Sequence, residues 1–233
     1  MEFTDRTVMV TGAAGNLGRA VATAFAERGA NLVLVDLQRE RLEAFGPASQ
    51  HRMLAPANLL VQDEVNATVS AALAHFGRID VLCNLAGGFR MGEAVHETSD
   101  ETFDFLFDLN TRSLLHCVRA VVPHMMAGGG GRIVNVGAFA AQKGAPGMGA
   151  YTASKAAVIR LTEAMAAELR ERHINVNCVL PTIIDTPENR AAMPDADPAR
   201  WVSPLDLAHV IVFLASDAAR AVHGSALPVS GLS

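Results

Sequence analysis

The stretch VMVTGAAGNLGRAVATAF, residues 8–25, decides the fold. It opens in a β-rich apolar run, 7–11, and closes in a segment, 15–28, with Leu17, Val21, Ala24 and Phe25 at helical spacing. Gly12, Gly15 and Gly18 stand at the junction. Glycine lets a chain turn tightly and approach a pyrophosphate closely, and the next helix offers free N–H groups and the positive end of its dipole. Three glycines alone also suit an ordinary turn. The strand before, the helix after and the acid ending the next run, NLVLVD at 31–36, give them weight. A carboxylate at Asp36 accepts hydrogen bonds from both ribose hydroxyls of an adenosine and repels a 2′-phosphate, which favours NAD(H) over NADP(H). Arg39 and Arg41 lie near enough to soften that preference.

Outward from this unit, strand and helix signals alternate. Further strands are predicted over 31–35, 81–85, 132–136 and 175–180, with weaker signals at 53–57 and 227–229. Helical patterns fill 64–76, 100–126, 151–172 and 204–216. The alternation predicts an α/β fold: one Rossmann domain over 1–233, a doubly wound, mostly parallel sheet with helices on both faces. Ligands then bind beyond the carboxyl ends of the strands. The polar stretch 182–201 carries Pro187, Pro194 and Pro198 and reads as a binding loop.

Composition agrees. Of 233 residues half are hydrophobic and only 18% charged, as suits a sheet buried on both faces. A net charge of -5 argues against nucleic acid as a partner. Cys83, Cys117 and Cys178 have neither disulfide nor metal-ligand spacing and read as reduced, buried thiols. The N-terminus lacks a signal peptide pattern and no apolar run reaches the length of a membrane span, so the expectation is a cytoplasmic protein. The scattered histidines read as structural or surface groups.

The chemistry concentrates in NVGAFAAQKGAPGMGAYTASKAA, residues 135–157. Tyr151 and Lys155 are four apart and share one helix face. A tyrosine near pKa 10 is a poor acid or base at neutral pH, and a nearby ammonium favours its phenolate, so a lowered pKa is expected for Tyr151. The pair can then move a proton to or from the atom that gains or loses hydride.

These motifs resemble the short-chain dehydrogenase/reductase family over essentially the whole chain. TGAAGNLG is similar to its glycine motif, although commoner members place the middle glycine where this chain has Asn16. NLAGG, residues 84–88, resembles its Asn-Asn-Ala-Gly stretch, YTASK its Tyr-x-x-x-Lys, and DLN puts Asn110 where the family carries a helix asparagine. The resemblance implies Tyr151 as acid/base, Lys155 also holding the nicotinamide ribose, and Asn110 anchoring a water relay. It implies a cofactor site of Gly12, Gly15, Asn16, Leu17, Gly18, Asp36, Asn58, Leu59, Asn84, Ala86, Gly87 and Lys155, with Pro181, Thr182, Ile183 and Thr186 near the carboxamide. Asn58 departs from the usual aspartate. The family further implies a small-molecule substrate and a homodimer or homotetramer paired through its long helices.

One departure bears on function. The family's serine lies thirteen positions before the tyrosine, and Ala138 is there. Alanine donates nothing to a carbonyl or alkoxide, and loss of one such donor costs other enzymes about 10²–10³ in rate. Gln142 and Thr152 are the neighbouring polar residues. The run GAFAAQKGAPGMGAYTASKAA and the stretch 179–201 resemble the dihydropteridine reductase branch, which also has alanine there; AGGF at 86–89 agrees, while Asn110 does not. The expectation is a reductase of a conjugated imine or quinonoid ring, or of a carbonyl, with Ala138, Phe89 and Trp201 toward the substrate. Trp201 either lines that pocket or anchors its loop. Asp185, Thr186 and Asn189 read as turn caps, and Arg190 as a substrate contact or a surface residue. A general alcohol or carbonyl dehydrogenase and a weakly catalytic, cofactor-binding sensor are the alternatives.

Overall fold

The computed structural model describes residues 2–233. Seven strands form one sheet: β1 (Thr7–Thr11), β2 (Asn31–Asp36), β3 (Arg52–Pro56), β4 (Val81–Asn84), β5 (Gly131–Val136), β6 (Ile174–Pro181) and β7 (Ala226–Val229). Their order is β3-β2-β1-β4-β5-β6-β7, and every pairing is parallel, beyond the mostly parallel sheet expected. The helices are α1 (Asn16–Ala26), α2 (Arg39–Glu43), α3 (Gln62–Phe76), α4 (Asp100–Phe107), α5 (Ser113–Ala127), α6 (Gly149–Leu169), α7 (Pro187–Ala192) and α8 (Pro204–Ala215).

Two cores explain why strands with this composition form. Successive side chains of a strand point to opposite faces. Val8 and Val10 therefore join Val21, Phe25, Leu207 and Ile211 of α1 and α8, whereas Met9 joins Val65, Val121 and Val158 of α3, α5 and α6. Both faces are covered, so the strands read as continuous apolar runs. Phe25 is fully buried, with Phe3 edge-on at 4.9 Å; burying such a ring contributes about 2–3 kcal/mol.

Strand order reverses between β1 and β4, the switch point where a ligand crevice opens beyond the strand ends. Thr11 fixes that crevice: its Oγ1 accepts from Leu85 N and Ala86 N at 3.1 and 3.3 Å.

The single helix expected over 100–126 is two. A π-helical turn, Asp108–Arg112, separates α4 from α5. Such a turn inserts one residue into the helical ladder, which the spacing of apolar residues does not register, and it marks functional sites. Here it carries Asn110 inward, 2% exposed.

Candidate active site

The β1–α1 turn presents a helix start with little to neutralise it. Gly15 precedes α1 with no side-chain cap, and the first turn carries no acid. A Cβ on Gly18 would lie 2.2 Å from Gly12 O, so only glycine lets the helix close on the turn. Asp36 Oδ2 accepts from Ala14 N at 3.0 Å. Arg19 Nε and Arg41 Nη2 donate to Ala14 O at 3.0 and 3.2 Å, bringing two guanidiniums to the residue whose N–H binds that acid. Uncapped N–H groups and a carboxylate at the end of β2 fit a dinucleotide: the first suit its diphosphate, the second its adenosine ribose.

The other cofactor candidates lie at the carboxyl ends of strands or in the segments that follow them. Leu17 is half-buried against the α1 core. Asn58 Oδ1 accepts from Leu60 N at 3.0 Å in a turn leading to α3, and Leu59 is buried, its carbonyl accepting from His116 Nδ1 at 2.9 Å. Asn84 Nδ2 donates to Asn135 Oδ1 at 2.9 Å, while Asn84 Oδ1 is buried without a partner. Pro181 ends β6. Thr182 Oγ1 donates to Ser230 O at 3.0 Å. Thr186 caps α7, accepting from Asn189 N at 3.2 Å. Asp185 pairs with Arg190, so this arginine is spent within its own loop. Asn16 Nδ2 donates to Glu188 Oε2 at 2.7 Å and joins the glycine turn to that loop, a contact with no signal in the sequence.

Ile183 and Asp185 bond the backbone of Val202, which closes the loop at its root. Trp201 is 8% exposed beside this closure and lines no part of the cleft at Tyr151. Its burial agrees with the anchor reading.

Tyr151 lies in the first turn of α6 and Lys155 one turn on. Lys155 is 6% exposed, and its Nζ donates to Val136 O at 2.9 Å. Burial lowers its pKa from 10.5 to about 8, against a smaller opposing effect of Cys178. Burial pushes Tyr151 up from 10.0 to about 12. Burial thus shifts Tyr151 in the opposite direction to the lowered pKa expected from the sequence, because losing water disfavours the phenolate.

Asn110 ties this face together. Its Oδ1 accepts from Gly88 N at 2.9 Å; its Nδ2 donates to Gly88 O at 3.1 Å and to Ser154 Oγ at 3.0 Å. Ser154, fully buried, donates to Tyr151 O at 2.8 Å. Sequence reasoning missed this serine, whose one signal was a small polar residue inside YTASK. A Cβ on Gly87 would meet Asn110 Oδ1 at 2.9 Å and Lys155 Nζ at 3.1 Å. Ala86 packs against the core on the α5 and α6 side.

Ala138 is 4% exposed. Both polar neighbours are bonded to backbone carbonyls. Thr152 Oγ1 donates to Met148 O and Gly149 O, and Gln142 Nε2 to Phe139 O. A cleft of about 190 Å³ opens beside Tyr151, between Arg90, Met91, Thr102, Leu106 and Met148. Phe89 stands edge-on to the Tyr151 ring at 4.8 Å.

A family model described as Enoyl-(Acyl carrier protein) reductase matches residues 12–231. The chain belongs to the short-chain dehydrogenase/reductase family. It is an oxidoreductase of that nucleotide-dependent kind. A 2-(R)-hydroxypropyl-CoM dehydrogenase of Xanthobacter autotrophicus is 34% identical, covering 97% of this chain and 98% of the relative. A cyclopentanol dehydrogenase of Comamonas is 36% identical, covering 97% and 96%. Among solved structures, a 3-ketoacyl-(acyl-carrier-protein) reductase of Brucella melitensis complexed with NADH superposes with a TM-score of 0.88 at 30% identity, over 98% of each chain. A nicotinamide cofactor is thus supported for this family member. The three cysteines are free and buried, and no helix among the described residues is long and apolar enough to cross a membrane.

Proposed function

We propose that this protein is an NAD(H)-dependent reductase of a conjugated ring acceptor, an imine, quinonoid or activated carbonyl of the kind dihydropteridine reductases act on. The observation that carries the reading is Ala138, buried and unable to donate at the position thirteen before Tyr151, with Gln142 and Thr152 both bonded to backbone carbonyls. Hydride added to a conjugated ring leaves charge spread over several heteroatoms, so one fewer donor costs less than it does for an isolated alkoxide. The nicotinamide, when bound, supplies the hydride.

The chain's own groups do the rest. Tyr151 donates the phenol proton to the reduced acceptor atom, and with its pKa raised it is protonated throughout the neutral range. Lys155, charged below about pH 8, stabilises the phenolate that remains until solvent reprotonates it. Asn110 and Ser154 hold α6 against Gly88, fixing Tyr151 relative to the end of β4. Asp36, with Oδ2 bound to Ala14 N, would accept from the adenosine ribose through its other oxygen, which supports NAD(H) over NADP(H). The 182–201 segment serves as the substrate loop. An apolar groove of about 330 Å³ between Leu114, Val118 and Val122 of α5 and Leu161 and Met165 of α6 supports assembly of the chain as a homodimer or homotetramer.

A general alcohol or carbonyl dehydrogenase is the second reading, favoured by the names of the relatives. NADH oxidation with freshly generated quinonoid dihydropterin and with cyclopentanone, beside Tyr151→Phe, separates the two. Rapid, Tyr151-dependent pterin turnover supports the first reading. Faster cyclopentanone turnover would sink it.

A further inference from the structure

The cleft beside Tyr151 has one cation in its wall, and that cation is poorly neutralised. Arg90 stacks its guanidinium over the Phe105 ring at 4.0 Å. Stacking holds the planar group in place and leaves its edge free for two parallel hydrogen bonds, the arrangement that matches a carboxylate or sulfonate. The charged groups facing it are few. Glu101 touches Nη1 at 3.3 Å, but its carboxylate is 85% exposed, and such a single-contact surface pair contributes little. Glu93, also in the wall, keeps its charge but has both oxygens engaged away from Arg90, accepting from Ser99 N and Thr102 Oγ1, both at 3.1 Å. The remaining wall is largely apolar, with Met91, Leu106 and Met148. A bond from Gly92 N to Gly147 O, 2.8 Å long, ties the segment carrying Arg90 to the loop before Tyr151, so the cation and the phenol are held across one small cleft.

We infer that Arg90 selects substrates bearing a carboxylate or sulfonate a few bonds from the reacting carbon, with Glu101 as the group the substrate anion displaces. This rests on the reductase reading given above. Arg90 takes no part in proton or hydride transfer; it fixes the far end of the substrate so that the acceptor atom meets Tyr151.

The test uses isatin, a conjugated ring ketone, and isatin-5-sulfonate, which adds an anion across the ring. In NADH-dependent reduction by the wild type, kcat/KM for the sulfonate exceeds that for isatin by about ten- to a hundred-fold, the range of a charge-assisted pair. Arg90→Ala brings the ratio near one, Arg90→Lys retains part of it, and Glu101→Gln raises it. A ratio that survives Arg90→Ala, or both rates falling together, overturns the proposal. Equilibrium dialysis on protein saturated with NAD⁺, from which no hydride can pass to the ketone, gives a readout free of turnover. There Arg90→Ala weakens sulfonate binding about tenfold or more and spares isatin, while Tyr151→Phe spares both. Selective loss of binding without any reduction would keep the anion site and refute the reductase. Reduction of both compounds with equal binding in wild type and Arg90→Ala would do the reverse.

Discussion

Replacing Lys155 by methionine is expected to abolish reduction and yet stabilise the cofactor-free fold at neutral pH. The side chain is 6% exposed, and burial lowers its pKa from 10.5 to about 8. That drop corresponds to about 3 kcal/mol spent on holding the charge inside the protein. Methionine has similar volume and no charge. It loses the bond to Val136 O and leaves that carbonyl short of a partner, a cost of about 1–2 kcal/mol. The net gain is about 1–2 kcal/mol at pH 7. The sign follows from linkage. Below pH 8 both folded and unfolded lysine are protonated, and the folded state bears the full penalty. Between about 8 and 10.5 the folded chain sheds the proton while the unfolded chain keeps it, so wild-type stability rises with pH, by about 2 kcal/mol at pH 9.5. The advantage of Lys155→Met therefore disappears by pH 9.5. Urea unfolding of both proteins without cofactor at pH 7 and 9.5 measures it. A variant less stable than wild type at pH 7, or a gap equal at both pH values, would refute the reasoning.

Three further outcomes follow from the same geometry. Reductive kcat/KM should fall above about pH 8 as Lys155 loses its charge, and Lys155→Arg should move that limb beyond pH 10; a limb unmoved in the variant would assign it to another group. Ala138→Ser should raise turnover of simple ketones such as cyclopentanone by about tenfold or more while leaving pterin reduction within about twofold, read from initial rates; equal gains on both would contradict the conjugated-acceptor reading. Asp36→Ser removes the carboxylate that shares Ala14 with Arg19 and Arg41 and should tighten NADPH binding at least about tenfold while weakening NADH, followed by fluorescence titration; unchanged NADPH affinity would place the ribose end elsewhere.

Periodicity marked the strands because parallel strands covered on both faces must be apolar on both, and 8–10, 32–35 and 81–83 are. The Gly12–Gly18 turn was legible because its conformation depends on residues adjacent in sequence. Tyr151 and Lys155 were legible as a pair because four residues on a helix share a face. The continuous helix over 100–126 was misread because a π turn shifts phase by one residue without altering composition.

The sequence by itself determined the doubly wound sheet, the cofactor end and the presence of a tyrosine–lysine pair, since each follows from local pattern and backbone geometry. Only the tertiary structure decided the state of that pair. Burial of Lys155 and Tyr151 is set largely by Gly87, Phe89 and Asn110, distant from the pair in sequence before folding joins them. The same holds for Arg90 over Phe105 and for Asn16 bonded to Glu188, because side-chain electrostatics depend on distance and solvent exclusion, which spacing along the chain does not encode.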